Sequence, residues 1–205
     1  MSTNNKYELI PTENGFFRIR AVRSFGDVKK GDIGGLIQSK DNLADYGLCW
    51  IYDNARCVGS GRVTDNAQIR DEASIYQDGR VYGDAVVSGK AHICGSSRVY
   101  DTAKIAGTLK VRYADIGGNS IICKQSDYLV FKNWWGLDCW LTYTKSNKMW
   151  RHGCFYGNTQ QTIYHFYQKS KNQGDEMVRL VEYVEGCIPF ELSEEEKKDA
   201  LFHHA

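Results

Sequence analysis

The middle of the chain carries an aliphatic residue at every sixth position. The series runs from Ile51 to Val111, and every member except Cys57 is valine or isoleucine. An α-helix repeats about every 3.6 residues and a strand about every 2, so neither element alone produces this spacing. A short strand followed by a tight turn, repeated along the chain, does produce it. The aliphatic positions are Ile51, Cys57, Val63, Ile69, Ile75, Val81, Val87, Ile93, Val99, Ile105 and Val111.

A second position of each six-residue unit is small. Four residues after each aliphatic position comes Ala, Gly or Ser, until Leu109 interrupts the series. Turn residues such as Asp53-Asn54 and Gly83-Asp84 lie between the units, and these types accept the positive φ values of tight corners. Three units would close one triangular coil, so equivalent positions recur after about 18 residues and stack at about 4.8 Å. The spacing therefore predicts a parallel β-helix with three inward columns, which begin at Ile51, Cys57 and Val63.

This repeat resembles the hexapeptide-repeat family of left-handed parallel β-helices. The chain keeps that family's aliphatic and small positions but departs at the second position, which carries residues such as Tyr52, Arg70 and Tyr82. The departure is similar to a subgroup of phages, prophages and some bacteria whose repeats have the form Y-G-D-A-x-V. Lys29 to Ile37 is similar to the segment that precedes the repeats in that subgroup. The resemblance covers about Asp27 to Val111 and implies a left-handed β-helix of phage or prophage type.

The segments that flank the repeat suggest three parts. Residues 1–45 are predicted to form an N-terminal strand and cap, residues 46–125 the left-handed β-helix, and residues 126–205 a small C-terminal α+β module. Phe16–Val22 has the pattern of a strand, and Ile33–Ile37 that of an apolar plug for the open end of the coil. The predicted fold class is therefore mainly β.

The C-terminal module has its own local signals. Ser146-Asn147 predicts a hairpin turn, and Asn158 caps a helix that follows it. A second helix is predicted from Gly174-Asp175 to Gly186, and a third after Ser193. The repeat itself is expected to fray after Val111, where the aliphatic position slips to Ile116.

Composition limits the environment and the partners. Lys and Arg number 26 against 25 Asp and Glu, so no global field favours nucleic acid or an anionic membrane. The seven cysteines are an odd number without a C-x-x-C pair, which favours a reducing compartment over a disulfide framework or a zinc site. No apolar run has the length of a signal peptide core or a membrane span. We expect a cytoplasmic protein without a metal or cofactor, and the resemblance implies the cytosol of a bacterial host.

Two surfaces are candidate binding sites. On one face of the predicted prism the outward positions would stack arginines one rung apart with tyrosines beside them, the composition of binding hot spots. Like charges about 5 Å apart repel each other unless a nearby anion or carboxylate neutralises them. On the C-terminal module, the adjacent tryptophans cannot both point inward from a regular strand, so one is expected to meet a partner. The candidate residues are Arg62, Arg80, Tyr82, Arg98, Tyr100, Trp134 and Trp135.

No residue is assigned a catalytic role. Hexapeptide-repeat proteins are often trimeric acyltransferases that use a histidine base, but His92, within the coils, is expected to be a surface residue. His152 and Cys154 would share one face of a strand, with Cys154 packed and His152 at the surface, and no third group to activate the thiol.

The sequence therefore favours a non-enzymatic phage-type binding protein. It would act through a rigid β-helix surface on a host protein or protein–nucleic-acid complex, as a stoichiometric inhibitor of a host defence system in the manner of an anti-CRISPR. Two alternatives stay open: an acyltransferase that uses acyl-CoA, and nucleic-acid or nucleotide binding along the arginines. A homo-oligomer, dimer or trimer, is expected.

Overall fold

The computed structural model describes residues 5–132 and 140–186. The chain divides into two compact units, Met1–Leu129 and Val130–Ala205. The first contains a parallel β-solenoid of about five turns, and the second contains antiparallel strands and two helices. The predicted class, a mainly β parallel β-helix with a small α+β module, is confirmed. The left-handed sense of the coil stays a prediction.

Three strands lead the chain into the solenoid. The first two form an antiparallel hairpin, whose second strand is the one predicted at Phe16–Val22. The third pairs with the hairpin on one side and, in parallel, with the solenoid on the other. The expected apolar plug is therefore a strand, and its first residue, Ile33, is 52% exposed. Gly35 permits the parallel pairing, because a Cβ there would collide with the carbonyl oxygen of Ala55. The strands are β1 (Tyr7–Pro11), β2 (Phe17–Ala21) and β3 (Ile33–Ile37).

Short parallel strands build the three walls of the solenoid. The strands are β4 (Trp50–Ile51), β5 (Arg56–Cys57), β6 (Arg62–Val63), β7 (Gln68–Ile69), β8 (Ser74–Ile75), β9 (Arg80–Val81), β10 (Val86–Val87), β11 (His92–Cys94), β12 (Arg98–Val99), β13 (Lys104–Ile105), β14 (Lys110–Arg112), β15 (Asp115–Ile116) and β16 (Ile121–Ile122). One wall follows the order β3-β5-β8-β11-β14, the second β4-β7-β10-β13-β16 and the third β6-β9-β12-β15.

The predicted inward columns form the core. Every aliphatic position from Ile51 to Val111 is fully buried, and each pairs in register with the position one coil away. Ile37 precedes the column of Cys57, while Ile116 and Ile122 extend two columns at the other end. Burial of these side chains, at about 25 cal/mol per Å² of apolar surface, is the main stabilising contribution of the coil.

The repeat does not fray after Val111. The corner that follows is one residue shorter than the others, so the next aliphatic position is Ile116, and the coil then resumes its six-residue step to Ile122. Tyr113 makes the short corner with a positive φ of 57°. The backbone N–H of Arg98 donates to the carbonyl of Ala114 at 2.9 Å, which keeps the wall continuous.

The second unit combines antiparallel strands with two helices. The predicted hairpin at Ser146-Asn147 joins the second and third strands, and the predicted cap at Asn158 is present, its side chain accepting from the backbone N–H of Gln161. Trp150 is fully buried and packs against Tyr143. The elements are β17 (Tyr128–Lys132), β18 (Trp140–Thr144), β19 (Met149–His152), β20 (Phe155–Asn158), α1 (Thr159–Tyr167) and α2 (Lys171–Glu185).

Helix α2 begins earlier than predicted. Its N-cap is Ser170, whose side chain accepts from the backbone N–H of Gln173, and it ends at Gly186, as expected, with φ of 72°. Gly174, which was predicted to start the helix, lies within it. A glycine fits this position because the ring of Tyr167 leaves no room for a Cβ there. The third helix predicted after Ser193 lies outside the described residues. No helix among the described residues is long and apolar enough to cross a membrane.

Candidate functional site

The outward positions of the wall β6-β9-β12-β15 form the surface that we call the arginine face. The strand registers place Arg62 opposite Arg80, Arg80 opposite Arg98, and Arg98 opposite Asp115. Because adjacent parallel strands lie about 4.8 Å apart, the three arginines rise from consecutive rungs. The face consists of Arg62, Thr64, Arg80, Tyr82, Arg98, Tyr100 and Asp115.

In the described part of the chain, one of the three arginines is paired with a carboxylate. The guanidinium of Arg98 donates from Nε to one carboxylate oxygen of Asp115 at 2.7 Å and from Nη2 to the other at 2.6 Å. This pairing raises the pKa of Arg98. Arg62 and Arg80 are exposed, and within residues 5–132 and 140–186 their guanidinium groups have no hydrogen-bond acceptor and no carboxylate partner.

The two tyrosines of the face have different exposures. Their rings are stacked, with centroids 5.3 Å apart and planes 11° apart. Tyr100 is only 7% exposed, because Gly117 has no side chain and leaves room for the ring against the backbone. Tyr82 is half-buried. Tyr82 therefore keeps part of its ring exposed to solvent, whereas Tyr100, expected as a binding residue, is buried and stacks on it.

The face contains a groove that extends towards the N-terminal end of the coil. A cavity of 280 Å³ is lined by the three arginines together with Thr64 and Tyr82. A second cavity of 260 Å³ shares Arg62 and Thr64 with it. The second cavity brings carboxylates to the site, since its remaining lining includes Lys40, Asp41, Asp45 and Tyr46.

Asp115 is the site residue that sequence reasoning missed. It follows the shortened corner, where the six-residue count no longer assigns a position. The sequence signal that could have found it is the small residue Ala114, which resumes the small series after a five-residue step.

The second predicted binding surface rests on Trp134 and Trp135, which lie outside the described residues. Trp140, the next tryptophan along the chain, is half-buried in β18.

The exposure of His92, His152 and Cys154 differs from the prediction. His92, expected at the surface, is half-buried with its ring edge-on to Tyr76, and burial together with the nearby cations Arg56 and Lys110 lowers its pKa. His152 is buried and Cys154 is exposed, the reverse of the predicted arrangement. The reason is that Gly153, with φ of 57°, turns the chain between β19 and β20, so the two residues do not share a strand face.

No protein-family model matches the chain, and no curated protein matches it.

Proposed function

We propose that this chain is a non-enzymatic binding protein that uses the arginine face to bind an acidic surface of a partner protein. The repeat pattern supports placing it among left-handed hexapeptide-repeat β-helices of phage or prophage type, acting in the cytosol of a bacterial host. In that setting the function is stoichiometric inhibition of a host defence system, by occupation of a surface which that system needs.

The proposal rests mainly on the positive charges of Arg62 and Arg80, which have no carboxylate partner among the described residues. The two guanidinium groups are exposed on consecutive rungs without an acceptor among the described residues. Their mutual repulsion is relieved when an anion is placed between them. A guanidinium also forms two parallel hydrogen bonds with a carboxylate, so each arginine can hold one acidic side chain with defined geometry.

The charge distribution along the groove favours a protein over a nucleic acid. Asp41 and Asp45 line the cavity that shares Arg62. A phosphate backbone running along the groove would meet these carboxylates, whereas a protein surface can offer acidic groups to the arginines and basic or hydroxyl groups to the aspartates.

The rigidity of the wall also suits a binding role. Backbone hydrogen bonds connect each rung of this wall to the next, including those from Arg62 to Gly79 and from Arg80 to Ser97. Little backbone entropy is therefore lost when a partner binds, and a pre-organised surface gains affinity for that reason.

A differential capture experiment tests the proposal. The wild-type chain, the double variant Arg62→Glu/Arg80→Glu and the control Lys104→Glu are used as bait in bacterial host lysate, after light scattering has established whether each is a dimer or trimer. Lys104 is an exposed cation on another wall of the solenoid. We expect a partner that wild type and Lys104→Glu capture and the double variant loses.

The purified partner then provides the quantitative measurement. We expect the double reversal to weaken its affinity by about 10-fold or more, since reversal of charges in a complementary patch lowers the association rate and costs binding energy. Equal affinity of the three baits would contradict the proposal. Binding of single-stranded DNA that weakens steeply with salt would instead support the nucleic-acid alternative.

A further inference from the structure

A separate cavity lies in the C-terminal unit, between strand β20 and helix α1. Its volume is 590 Å³, which falls within the range of about 300–1,000 Å³ that small-molecule sites occupy. The helix contributes Gln160, Tyr164 and Gln168, which are spaced by four residues and therefore stack in one row along its surface. Strand β20 contributes Phe155.

Among the residues that the structure describes, the lining carries no formal charge at neutral pH. The titratable side chains of this described lining are His165 and two tyrosines. Burial, and then the positive charge of Lys169, lowers the pKa of His165 to about 4, so its imidazole is neutral. Surface helices normally present charged residues to solvent, and α1 has no Asp, Glu, Lys or Arg along its length. A charged ligand would find no counter-charge among the described residues that line this cavity.

The cavity nevertheless has hydrogen-bonding capacity that the protein does not use. Within residues 5–132 and 140–186, the carboxamides of Gln160 and Gln168 and the hydroxyl of Tyr164 have no hydrogen-bond partner. The Nε2 of His165 also has no partner among the described residues, but it is buried and therefore out of reach of a ligand. An aliphatic ligand would leave these groups unsatisfied, at a cost for each buried one.

Aromatic rings form part of the remaining lining, beside the amides of Asn158 and Gln161. Phe155 and His165 are stacked with centroids 4.2 Å apart and planes 10° apart, so each covers one face of the other and only the opposite faces can take up a base. Tyr156 and Tyr164 add two further rings. Aromatic side chains of this kind are the platforms on which nucleic-acid bases stack.

We propose that this cavity binds an uncharged nucleobase, with adenine as the base its edges fit. A glutamine carboxamide presents a donor and an acceptor side by side, which is complementary to the N6 amino group and N7 of adenine. Gln160 and Gln168 supply such edges and the aromatic residues supply the stacking surface. The base can come from a free nucleoside or from a single strand, and the chemistry of recognition is the same.

Calorimetric titration of the full chain with adenosine tests this site. We expect saturable binding by wild type and by the control Asn172→Leu, which changes an exposed amide on α2 outside the cavity. The variant Gln160→Leu/Gln168→Leu should weaken binding at least about 5-fold, the low end of what a bidentate base contact contributes. Tyr164→Ala should weaken it by a similar factor through lost stacking. Gln160 is exposed and Gln168 half-buried, so near-UV circular dichroism should show that the double variant folds.

Further arms identify the source of the base and separate this site from the arginine face. A short oligo(dA) that binds more tightly than adenosine indicates a base within a strand, and equal affinity indicates a free nucleoside. Adenosine binding should be independent of salt and unchanged in Arg62→Glu/Arg80→Glu, whatever becomes of the proposed partner. The proposal is overturned if millimolar adenosine shows no saturable binding, if the glutamine variant binds it as well as wild type, or if glucose binds more tightly.

Discussion

The carboxylate of Asp115 holds the guanidinium of Arg98 in two hydrogen bonds, at 2.7 and 2.6 Å. It ends a column of three arginines on the outside of the solenoid and neutralises only the last of them. The carboxylate side chain is 13% exposed and that of Arg98 is 42% exposed, so the pair is only partly shielded from solvent. The anion-binding capacity of the face is therefore concentrated at Arg62 and Arg80.

Removing the charge of Asp115 should strengthen binding of the acidic partner. In Asp115→Asn the guanidinium of Arg98 loses its counter-charge and becomes a third available cation. We expect the affinity to rise by about two- to five-fold, the scale of a solvent-exposed ion pair. The measurement is the dissociation constant of the captured partner. An unchanged or lower affinity would show that Arg98 does not contribute to the face.

The inward columns should dominate the stability of the coil. Ile69 is fully buried between Ile51 and Val87 of neighbouring coils. Ile69→Ala should therefore lower the free energy of unfolding by about 2–5 kcal/mol, through lost burial and the cavity left behind. Lys104→Ala, at an exposed position of the same wall, should change it by less than about 0.5 kcal/mol. Urea unfolding followed by far-UV circular dichroism compares the two, and similar values would contradict the assigned register.

Gly35 should be essential for the entry of the chain into the solenoid. A Cβ at this position would collide with the carbonyl of Ala55, and the side chain of Ile51 also lies close by. Gly35→Ala should force β3 away from β5 and lower the melting temperature markedly. Gly15→Ala is the matched control: its φ is +75° and nothing lies within 4 Å of a Cβ there, so only the cost of a left-handed backbone for alanine, about 1–2 kcal/mol, applies. Differential scanning calorimetry of both variants checks this, and an equally mild effect would count against close packing at β3.

The C-terminal unit should lose stability as the pH falls from about 6.5 towards 4. Burial, followed by the positive charge of Lys169 and by repulsion from His165 once that ring is protonated, lowers the pKa of His152 to about 4. The unfolded chain binds this proton near pH 6.5 and the folded chain does not, so the stability is complete above pH 6.5 and declines below it. The expected contribution of His152 between pH 7 and pH 5 is about 2 kcal/mol.

Tryptophan fluorescence during urea unfolding at pH 7 and pH 5 measures this decline in a Trp50→Phe background, which removes the one tryptophan of the first unit and retains the buried Trp150. His152→Phe removes the proton site and keeps an aromatic ring against Phe166, which lies 4.9 Å from the imidazole in the native chain. The variant should show a smaller difference between the two pH values, with the remainder due to His165. A variant with the full native pH dependence would exclude His152 as its source.

The six-residue spacing by itself determined the parallel coil from Ile51 to Val111. Each residue of a repeat faces inward, outward or into a corner according to its position in the repeat, so the inward columns could be derived from the sequence alone. Local signals likewise determined the hairpin at Ser146-Asn147 and the cap at Asn158, because turn and cap chemistry acts over only a few residues. The same spacing predicted the stack of Arg62, Arg80 and Arg98.

The tertiary structure decided what each outward residue does. The pairing of Arg98 with Asp115 depends on a corner shortened by one residue, and the burial of Tyr100 depends on Gly117 one rung away. The burial of His152 and the exposure of Cys154, opposite to the prediction, depend on the turn at Gly153. These properties arise from contacts between residues that are distant in sequence or from a local departure from the repeat, and a periodic pattern specifies the direction of a side chain without specifying its neighbours.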